Sequence, residues 1–226
     1  MSEMPSPDIS SARPADDRSG SHHVTLIQFA RWPELGKVKT RLAPALGEEG
    51  ALKAHMQLTA TVLTSLAGTE LPLQFWWDRA LEPVPEPARH LVKALNQRAV
   101  VQRVQKGEGL GARMNDAFER TLARYRKAII VGSDCPSVDG DYVRDAVAAL
   151  DHADVVIGPS DDGGYVLLGA RRVAEGMLDD IEWGSPQVLE QTCQRLDSVG
   201  LTFSLLEPRW DVDEIEDWQR FLAMPV

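Results

Sequence analysis

The chain has 226 residues, of which 43% are hydrophobic and 26% are charged, so it can bury one substantial core and form one domain or at most two. Its formal net charge of -10 argues against general binding of nucleic acid or anionic membranes, because both need a broad basic surface. No apolar stretch is long enough to cross a bilayer. We therefore expect neither a nucleic-acid partner nor a membrane partner.

The first 22 residues are polar, acidic and rich in proline, and they lack the apolar segment of a signal peptide. We predict a disordered tail over 1–22 and a single folded domain over 23–226. The two cysteines, Cys135 and Cys193, do not have the spacing of a zinc site. Reduced thiols in a cytoplasmic protein are the simplest interpretation.

Beyond the tail, apolar strand-like runs alternate with amphipathic helix-like stretches. Strands are predicted over 23–30, 72–78, 99–105, 127–132, 153–158, 164–170 and 201–207. Helices are predicted from residue 48 onward, over 86–97, after the glycine-rich stretch 106–111, around 143–150, over 185–196 with Ser185 as N-cap, and over 213–222. This alternation indicates an α/β fold with a largely parallel sheet covered by helices on both faces. In such folds, ligands bind at the carboxyl ends of the strands.

The loop after the first predicted strand gathers positive charge in an otherwise acidic chain. Lys37, Lys39 and Arg41 lie within a few residues of one another, and Gly36 allows the backbone to approach a ligand closely. Cationic side chains with unpaired backbone N–H groups suit a di- or triphosphate, although a solvated charged loop is the alternative. The glycine and lysine spacing of a Walker loop is absent.

Asp134 lies just beyond the apolar run 127–132 and is followed closely by Pro136, which fixes a turn. A carboxylate at that position needs a positive partner, and Mg²⁺ that carries substrate phosphates is one candidate. An aspartate that caps the following turn fits the local sequence equally well.

Two adjacent carboxylates, Asp161 and Asp162, precede Gly163 and Gly164 and the strand that follows. One of the aspartates could act as a general base beside a substrate that contacts the glycine backbone. Asp-Gly is also the commonest signature of a tight turn, and the two interpretations are compatible.

Asp211 and Asp213 follow the last predicted strand. Their alternate spacing can present two carboxylates to one metal ion. Asp213 with Glu216 also matches a helix capping box, which is the interpretation that the local sequence favours.

A glycine-rich segment between Gln105 and Arg113 precedes a helix, where backbone N–H groups can bind an anion. In that helix we expect Leu110, Met114, Phe118 and Leu122 on one apolar stripe.

Trp183 and Ser185 precede a later predicted helix. The indole could stack on a base or sugar of a substrate, or it could fill the core.

An ordered series of motifs runs from residue 24 to the end of the chain: "FARWPELGKVKTRLAP", "GLGARM", "VGSDCPS", "SDDGGYVLLG", "EWGSPQV" and "DVDEIEDW". In this order they resemble the bacterial family of arsenosugar-biosynthesis-type glycosyltransferases. More distantly, the chain is similar to 2-phospho-lactate guanylyltransferase and the molybdenum-cofactor guanylyltransferases. The resemblance implies a nucleotide-diphospho-sugar transferase (GT-A) fold, which is a Rossmann-like three-layer αβα sandwich with a mostly parallel, mixed sheet.

The resemblance also implies a role for individual residues. It places nucleotide phosphates on Lys37, Lys39 and Arg41, and a divalent cation on Asp134. A second metal position falls on Asp213, which overrides the local preference for a helix cap. Gly163 and Gly164 match the backbone that borders the sugar or acceptor.

Together these features predict a transferase that depends on Mg²⁺ or Mn²⁺ and acts on a small acceptor. Glycosyl transfer from a nucleotide-sugar is the leading hypothesis, with Asp162 as the base and Asp161 beside it. Nucleotidyl transfer from a nucleoside triphosphate, with release of pyrophosphate, is the alternative. An inactive nucleotide-binding module ranks third, and the oligomeric state is left open.

Overall fold

The computed structural model describes residues 23–79 and 83–224, in which seven strands and six α-helices alternate. The strands are β1 (Val24–Ala30), β2 (Leu73–Trp77), β3 (Val101–Val104), β4 (Lys127–Gly132), β5 (Val155–Pro159), β6 (Tyr165–Ala170) and β7 (Phe203–Leu205). The helices are α1 (Ala43–Ala67), α2 (Arg89–Gln97), α3 (Gly109–Leu122), α4 (Gly140–Ala149), α5 (Val188–Ser198) and α6 (Ile215–Leu222), and a 3-10 turn, Glu86–Ala88, precedes α2. The predicted tail over 1–22 lies outside the described residues.

The strands form one mixed sheet in the order β3-β2-β1-β4-β6-β5-β7. β6 runs antiparallel to its neighbours β4 and β5, and every other neighbouring pair is parallel. The prediction of an α/β fold with a mostly parallel sheet is therefore confirmed. From β1 the chain builds the sheet outward through β2 and β3, and then crosses to β4 on the other side of β1. This reversal is a topological switch point, where open α/β sheets form ligand clefts.

The two central strands, β1 and β4, are covered on both faces. Ile27 and Ile130 lie in one core cluster with Phe118 of α3. Leu26 and Ile129 lie in a second cluster with side chains of α1 and α4. These four strand side chains are at most 4% exposed. Because both faces are buried, the two strands are mostly apolar along their length, and the polar Thr25 and Gln28 of β1 are themselves buried.

The longest helix, α1, begins earlier than the predicted start at residue 48. Pro44 lies in its first turn, where a missing N–H costs no hydrogen bond. Gly47 interrupts the helical geometry with a φ of 72°, so that the helix bends there. No helix of the described residues, α1 included, is both long and apolar enough to span a membrane.

The predicted N-cap at Ser185 is wrong. The helix α5 begins three residues later, at Val188, and its N-cap is Gln187. Ser185 accepts a hydrogen bond from the Gln187 N–H at 3.3 Å within the preceding turn. The Leu189 N–H instead donates to the carbonyl of Gly163 at 2.9 Å. A backbone oxygen from the β5–β6 turn therefore accepts the hydrogen bond from the first turn of α5 that the side chain of Ser185 was expected to accept.

A buried aspartate fastens the edge strand β7 to β5. Asp154 Oδ2 accepts hydrogen bonds from Thr202 N at 3.1 Å, Thr202 Oγ1 at 3.0 Å and Arg172 at 2.9 Å. Burial opposes ionisation of Asp154, but the bonds from Thr202 and the charge of Arg172 outweigh it, so its pKa lies below the usual value.

We expect Asp154→Asn to lower the melting temperature at pH 7 by about 5 °C, because charge-assisted hydrogen bonds at β7 are lost. A carboxyl whose pKa is lowered on folding adds stability above its unfolded pKa of about 3.9, and that stability is lost as the pH falls through the folded value. The difference from wild type should therefore shrink between pH 5 and pH 3. Calorimetric scans across this range measure it, with the exposed Asp145→Asn as control; an equal difference at pH 3 and pH 7 would contradict the assignment.

Candidate active site

A cleft of about 700 Å³ opens at the carboxyl ends of β1 and β4, where these strands lie side by side. Two loops line it directly after these strands, and further side chains come from α1, α3 and the segment before α6. Seven of the residues selected from the sequence line this one cleft: Lys37, Lys39, Arg41, Gln105, Arg113, Asp134 and Asp213. The strand-end rule thus brings together residues that are far apart in sequence.

A buried lysine links three segments at one side of the cleft. Lys39 Nζ donates to Asp134 Oδ2 at 2.7 Å and to Asp213 Oδ1 at 3.2 Å. It also donates to the carbonyl of Val212 at 2.5 Å, and the side chain of Lys39 is only 7% exposed. Val212 in turn donates its N–H to the Asp134 carbonyl at 3.0 Å. The ammonium group therefore occupies the space between the two aspartates that were predicted to bind metal.

The charges on this lysine and its partners are mutually stabilised. Burial would lower the pKa of Lys39, but Asp134 and then Asp213 outweigh it, and the pKa is raised. Burial would likewise raise the pKa of Asp134, but Lys39 outweighs it, and the pKa is lowered. Arg41 also contacts Asp213, at 3.0 Å, but its side chain is 63% exposed and solvent screens the pair.

Negative charge nevertheless exceeds positive charge around Lys39. The pKa of Asp211 is raised to about 7, first by burial and then by repulsion from Asp134, Asp162 and Asp213. The pKa of a carboxyl group rises in this way when the negative charge of the carboxylates around it is larger than the positive charge of the nearby cations. This corner of the cleft therefore attracts a further cation.

The donor atoms in this corner suit a hard divalent cation. Asp134, Cys135 and Asp211 can each bring one ligand atom within 4.8 Å of the others. Burial, followed by the charges of Asp134 and Asp211, raises the pKa of the Cys135 thiol well above its usual value, so a thiolate is not available. Carboxylate oxygens remain, and these are the ligands that Mg²⁺ prefers and that Mn²⁺ also accepts.

The capping box predicted for Asp213 and Glu216 is displaced by one residue. Glu214 is the N-cap of α6, and Glu214 and Asp217 form the capping box. Asp217 Oδ2 accepts from the N–H of both Glu214, at 2.9 Å, and Asp213, at 3.1 Å. The carboxylate of Asp213 is thereby left to face Lys39 and the cleft.

Gly36 shapes the basic loop but does not line the cleft. Its φ is 70°, which favours glycine, and a β-carbon would come within 3.2 Å of Glu48. The N–H of Lys37 donates to the Glu34 carbonyl at 3.1 Å, so that the loop turns at Gly36 and directs Lys37 and Lys39 toward the cleft.

The aspartate pair Asp161 and Asp162 lies in the turn between β5 and β6, outside the lining of the cleft. Asp162 Oδ1 accepts a hydrogen bond from Ser160 Oγ and another from the Gly164 N–H at 3.0 Å. The tight-turn interpretation is therefore realised. Asp162 still lies close enough to Asp211 to raise its pKa, and Asp161 is exposed.

Trp183 is partly buried, packs against the core and is not among the residues that line the cleft. Its ring packs edge-on against Tyr165 with 6.2 Å between centroids, and it lies against Gly111 at the start of α3. Of the segment around it, Gly184 lines the cleft, whereas Trp183 and Ser185 do not. The stacking role proposed for the indole from sequence has no support in this packing.

Several lining residues were not selected from the sequence. His55 of α1 is buried and hydrogen-bonds the Arg31 carbonyl through Nε2 at 3.0 Å; burial lowers its pKa, so the ring is neutral. Nothing in the helical pattern distinguishes this histidine from a core residue. Asp78 follows β2 and accepts from the Trp32 N–H at 2.6 Å, and the strand-end rule could have identified it.

The residues of the apolar stripe predicted for α3 differ in burial. Met114 and Phe118 are buried, but Leu110 is 41% exposed and lies on the lining of the cleft.

Comparison with known proteins identifies relatives of this chain. The model of the family described as "Uncharacterized protein conserved in bacteria (DUF2064)" matches residues 69–185, more than half of the chain. No curated protein sequence matches this chain.

A solved structure from Desulfovibrio desulfuricans G20, described as a "putative nucleotide-diphospho-sugar transferase", is 28% identical, with a TM-score of 0.79. The match covers 89% of this chain and 87% of that chain.

Two more distant structures share the fold. Rv0371C from Mycobacterium tuberculosis H37Rv, in complex with manganese, is 16% identical with a TM-score of 0.55, and the match covers 90% of this chain and 100% of that one. A nucleotidyl transferase from Methanothermobacter (Mth528) is 15% identical with a TM-score of 0.57, and the match covers 89% and 96% of the two chains.

The β5–β6 turn allows one sharp test of packing beside the site. Gly163 has a φ of 88°, and a β-carbon there would lie 2.2 Å from the Pro186 carbonyl oxygen. We expect Gly163→Ala to lower the melting temperature by at least about 5 °C, through backbone strain and this clash. Gly200→Ala is the matched control, since Gly200 has a φ of 69° and open space around it. Equal losses in the two variants would show that the contact with Pro186 is unimportant.

Lys39→Met leaves Asp134 and Asp213 facing each other without the buried ammonium group. In metal-free buffer we expect the melting temperature to fall by about 4–10 °C, because the remaining carboxylates repel each other. Saturating Mg²⁺ or Mn²⁺ should recover more than half of this loss, because a divalent cation can replace the missing charge. Differential scanning fluorimetry with a metal titration measures both effects.

Lys37→Met is the control for this experiment, because Lys37 lines the same cleft but its side chain is exposed and makes no ion pair within the described residues. It should change the melting temperature by less than about 1 °C. If Mg²⁺ stabilises wild type and Lys39→Met equally, the lysine does not occupy a cation position.

Proposed function

This chain belongs to the bacterial family described as "Uncharacterized protein conserved in bacteria (DUF2064)", and we propose that it is a divalent-metal-dependent transferase with a nucleotide-linked donor. The observation that carries the proposal is the Asp134–Lys39–Asp213 arrangement at the switch point of the sheet. There, a surplus of carboxylates lies beside a basic cleft. A metal–phosphate complex meets both needs, since its cation suits the carboxylates and its phosphates suit the basic residues.

The basic and the acidic residues of the cleft have different roles in this proposal. Lys37, Arg41 and Arg113 contact the phosphate oxygens of the donor. Asp134, with Asp211 and Asp213 nearby, would hold Mg²⁺ or Mn²⁺. When bound, the metal supplies charge neutralisation for the departing phosphate. The manganese complex of Rv0371C, a protein of the same fold, agrees with this choice of cation.

Glycosyl transfer is the leading reaction. It is supported by the 28% identity to a structure described as a nucleotide-diphospho-sugar transferase, and by the motif resemblance to glycosyltransferases. An acceptor oxygen attacks the anomeric carbon, the bond from that carbon to the diphosphate oxygen breaks, and the nucleoside diphosphate leaves. Asp162, in the turn beside Asp211, is the proposed base that takes the acceptor proton.

Nucleotidyl transfer is the second candidate, and the density of positive charge in the cleft favours it. Besides Lys39, five cationic side chains line the cleft: Arg31, Lys37, Arg41, Arg79 and Arg113. That number suits a triphosphate. In this reaction an acceptor phosphate or hydroxyl attacks the α-phosphorus and pyrophosphate leaves, so no protein base is required.

A binding panel tests the proposal. Nucleotide-sugars and nucleoside triphosphates are each added with and without Mg²⁺, and the melting temperature is followed. We expect a nucleotide-sugar with Mg²⁺ to raise it by about 3 °C or more, and the same nucleotide-sugar without metal to have a smaller effect. Asp134→Asn should abolish the metal-dependent part, whereas the exposed Asp145→Asn should retain it.

Chemical products distinguish the candidates. Release of a nucleoside diphosphate from the nucleotide-sugar supports glycosyl transfer. Stronger stabilisation by a triphosphate, with pyrophosphate release, selects the second reaction. Metal-dependent binding with no turnover would indicate an inactive nucleotide-binding module. If Asp134→Asn leaves metal-dependent stabilisation unchanged, the metal assignment is wrong.

A further inference from the structure

A second cleft lies at the opposite edge of the sheet, beside the amino ends of β2 and β3. Its volume is about 640 Å³, and it shares no lining residue with the candidate active site. The ends of α1 and α3 close its sides. Ligands that bind at the carboxyl ends of the strands do not reach this edge, so the cleft has no part in the transfer reaction proposed above.

Positive charge is concentrated in this second cleft. One carboxylate, Glu70, lies in its lining. The lining also contains four arginines: Arg98, Arg103, Arg120 and Arg124. The chain as a whole has a net charge of -10, so this grouping opposes its overall charge. Within the described residues only Arg120 has an ion-pair partner, Asp116, at 3.0 Å.

Two of the guanidinium groups are held in place by the core. The Cζ atoms of Arg120 and Arg103 lie 4.8 and 5.8 Å from the ring centroid of Trp76, which is fully buried. Gln74 Oε1 accepts a hydrogen bond from Arg103 Nε at 3.1 Å and another from Trp76 Nε1 at 3.1 Å. The terminal N–H groups of Arg103 remain available to a ligand, because these contacts involve only Nε and the ring.

A buried hydroxyl in the same cleft also lacks a partner. Thr121 is 2% exposed, and its Oγ1 has no hydrogen-bond partner within the described part of the chain. It lines the cleft one residue after Arg120. An unsatisfied buried hydroxyl costs free energy, so the chain's own groups do not fully satisfy this side of the cleft.

Burial and the neighbouring arginines disfavour the charged form of Arg103. Burial lowers the pKa of Arg103, and repulsion from Arg120 and then Arg124 lowers it further. A negative group between the guanidinium planes would remove this repulsion. A wall of apolar residues, Leu71, Leu73 and Val100, borders these charges and suits the organic part of a ligand.

We propose that this arginine cleft binds a small phosphate-bearing anion between Arg103 and Arg120. The planar guanidinium fork matches two phosphate oxygens at once, and the two groups are already oriented by Trp76 and Gln74. The concave shape fits a small molecule. The ligand class is therefore a phosphorylated metabolite or polyphosphate that acts outside the transfer reaction.

Calorimetric titration with inorganic tripolyphosphate, in buffer without divalent metal, tests the proposal. Because this probe can also enter the candidate active site, the parent protein for the comparison carries Lys37→Gln and Arg113→Gln. We expect the parent to bind tripolyphosphate and the addition of Arg103→Gln with Arg120→Gln to weaken binding by about tenfold or more. Arg144→Gln, at an exposed arginine of α4, is the matched control and should change affinity by less than about twofold.

Conservative variants keep the test valid if the double substitution unfolds the protein. Arg103→Lys preserves the charge but removes the fork, and we expect it to weaken binding by about threefold to tenfold with the fold retained by circular dichroism. Unchanged affinity in both Arg103→Lys and the double variant would overturn the proposal. Citrate, a tricarboxylate, should bind more weakly than tripolyphosphate; equal or tighter binding of citrate would overturn the assignment to phosphate.

Discussion

The contact of the buried Lys39 ammonium group with Asp134 and Asp213 is the interaction on which the rest of the candidate site depends. It joins the loop after β1, which contains Lys39, to the loop after β4 and to the segment before α6. Asp134 and Asp213 are 95 and 174 residues from the lysine in sequence. A buried ion of this kind is stable only when its partners are present, because desolvation otherwise outweighs the charge. The ion pairs act together with apolar packing, because Val212 of the segment before α6 is buried in one cluster with Leu42 and with side chains of α1.

The sheet topology makes this contact possible. β1 and β4 are neighbours, so the loops that follow them leave the same edge of the sheet. Their mostly apolar side chains keep both strands buried on two faces and give the loops a rigid base. The antiparallel β6 then brings the turn that carries Asp162 to the same side, close enough to affect Asp211. Four carboxylates thus meet near one buried ammonium group and the exposed Arg41 guanidinium, and the remaining negative charge favours a divalent cation.

The two edges of the sheet carry different sets of charged groups. At the carboxyl edge, the aspartates and the basic loop lie beside one cleft and contact each other through Lys39 and Arg41. At the amino edge, arginines gather around Trp76 with one carboxylate among them. An acidic chain that keeps its arginines together in a concave, partly buried position does so against electrostatic repulsion, which a bound anion relieves. The helix α3 reaches both edges, with Arg113 near one and Arg120 near the other.

The amino-acid sequence by itself determined the α/β class, the approximate strands and helices, and seven of the residues that line the candidate active site. These depend on local periodicity and on the rule that polar residues after parallel strands meet at one edge. Only the tertiary structure decided that Lys39 contacts the aspartates, that Glu214 rather than Asp213 caps α6, and that Trp183 packs edge-on against Tyr165. It also decided the grouping of arginines around Trp76. The physical reason is that ion pairing, capping geometry and ring packing are set by which distant segments become neighbours, and local sequence carries no record of those distances.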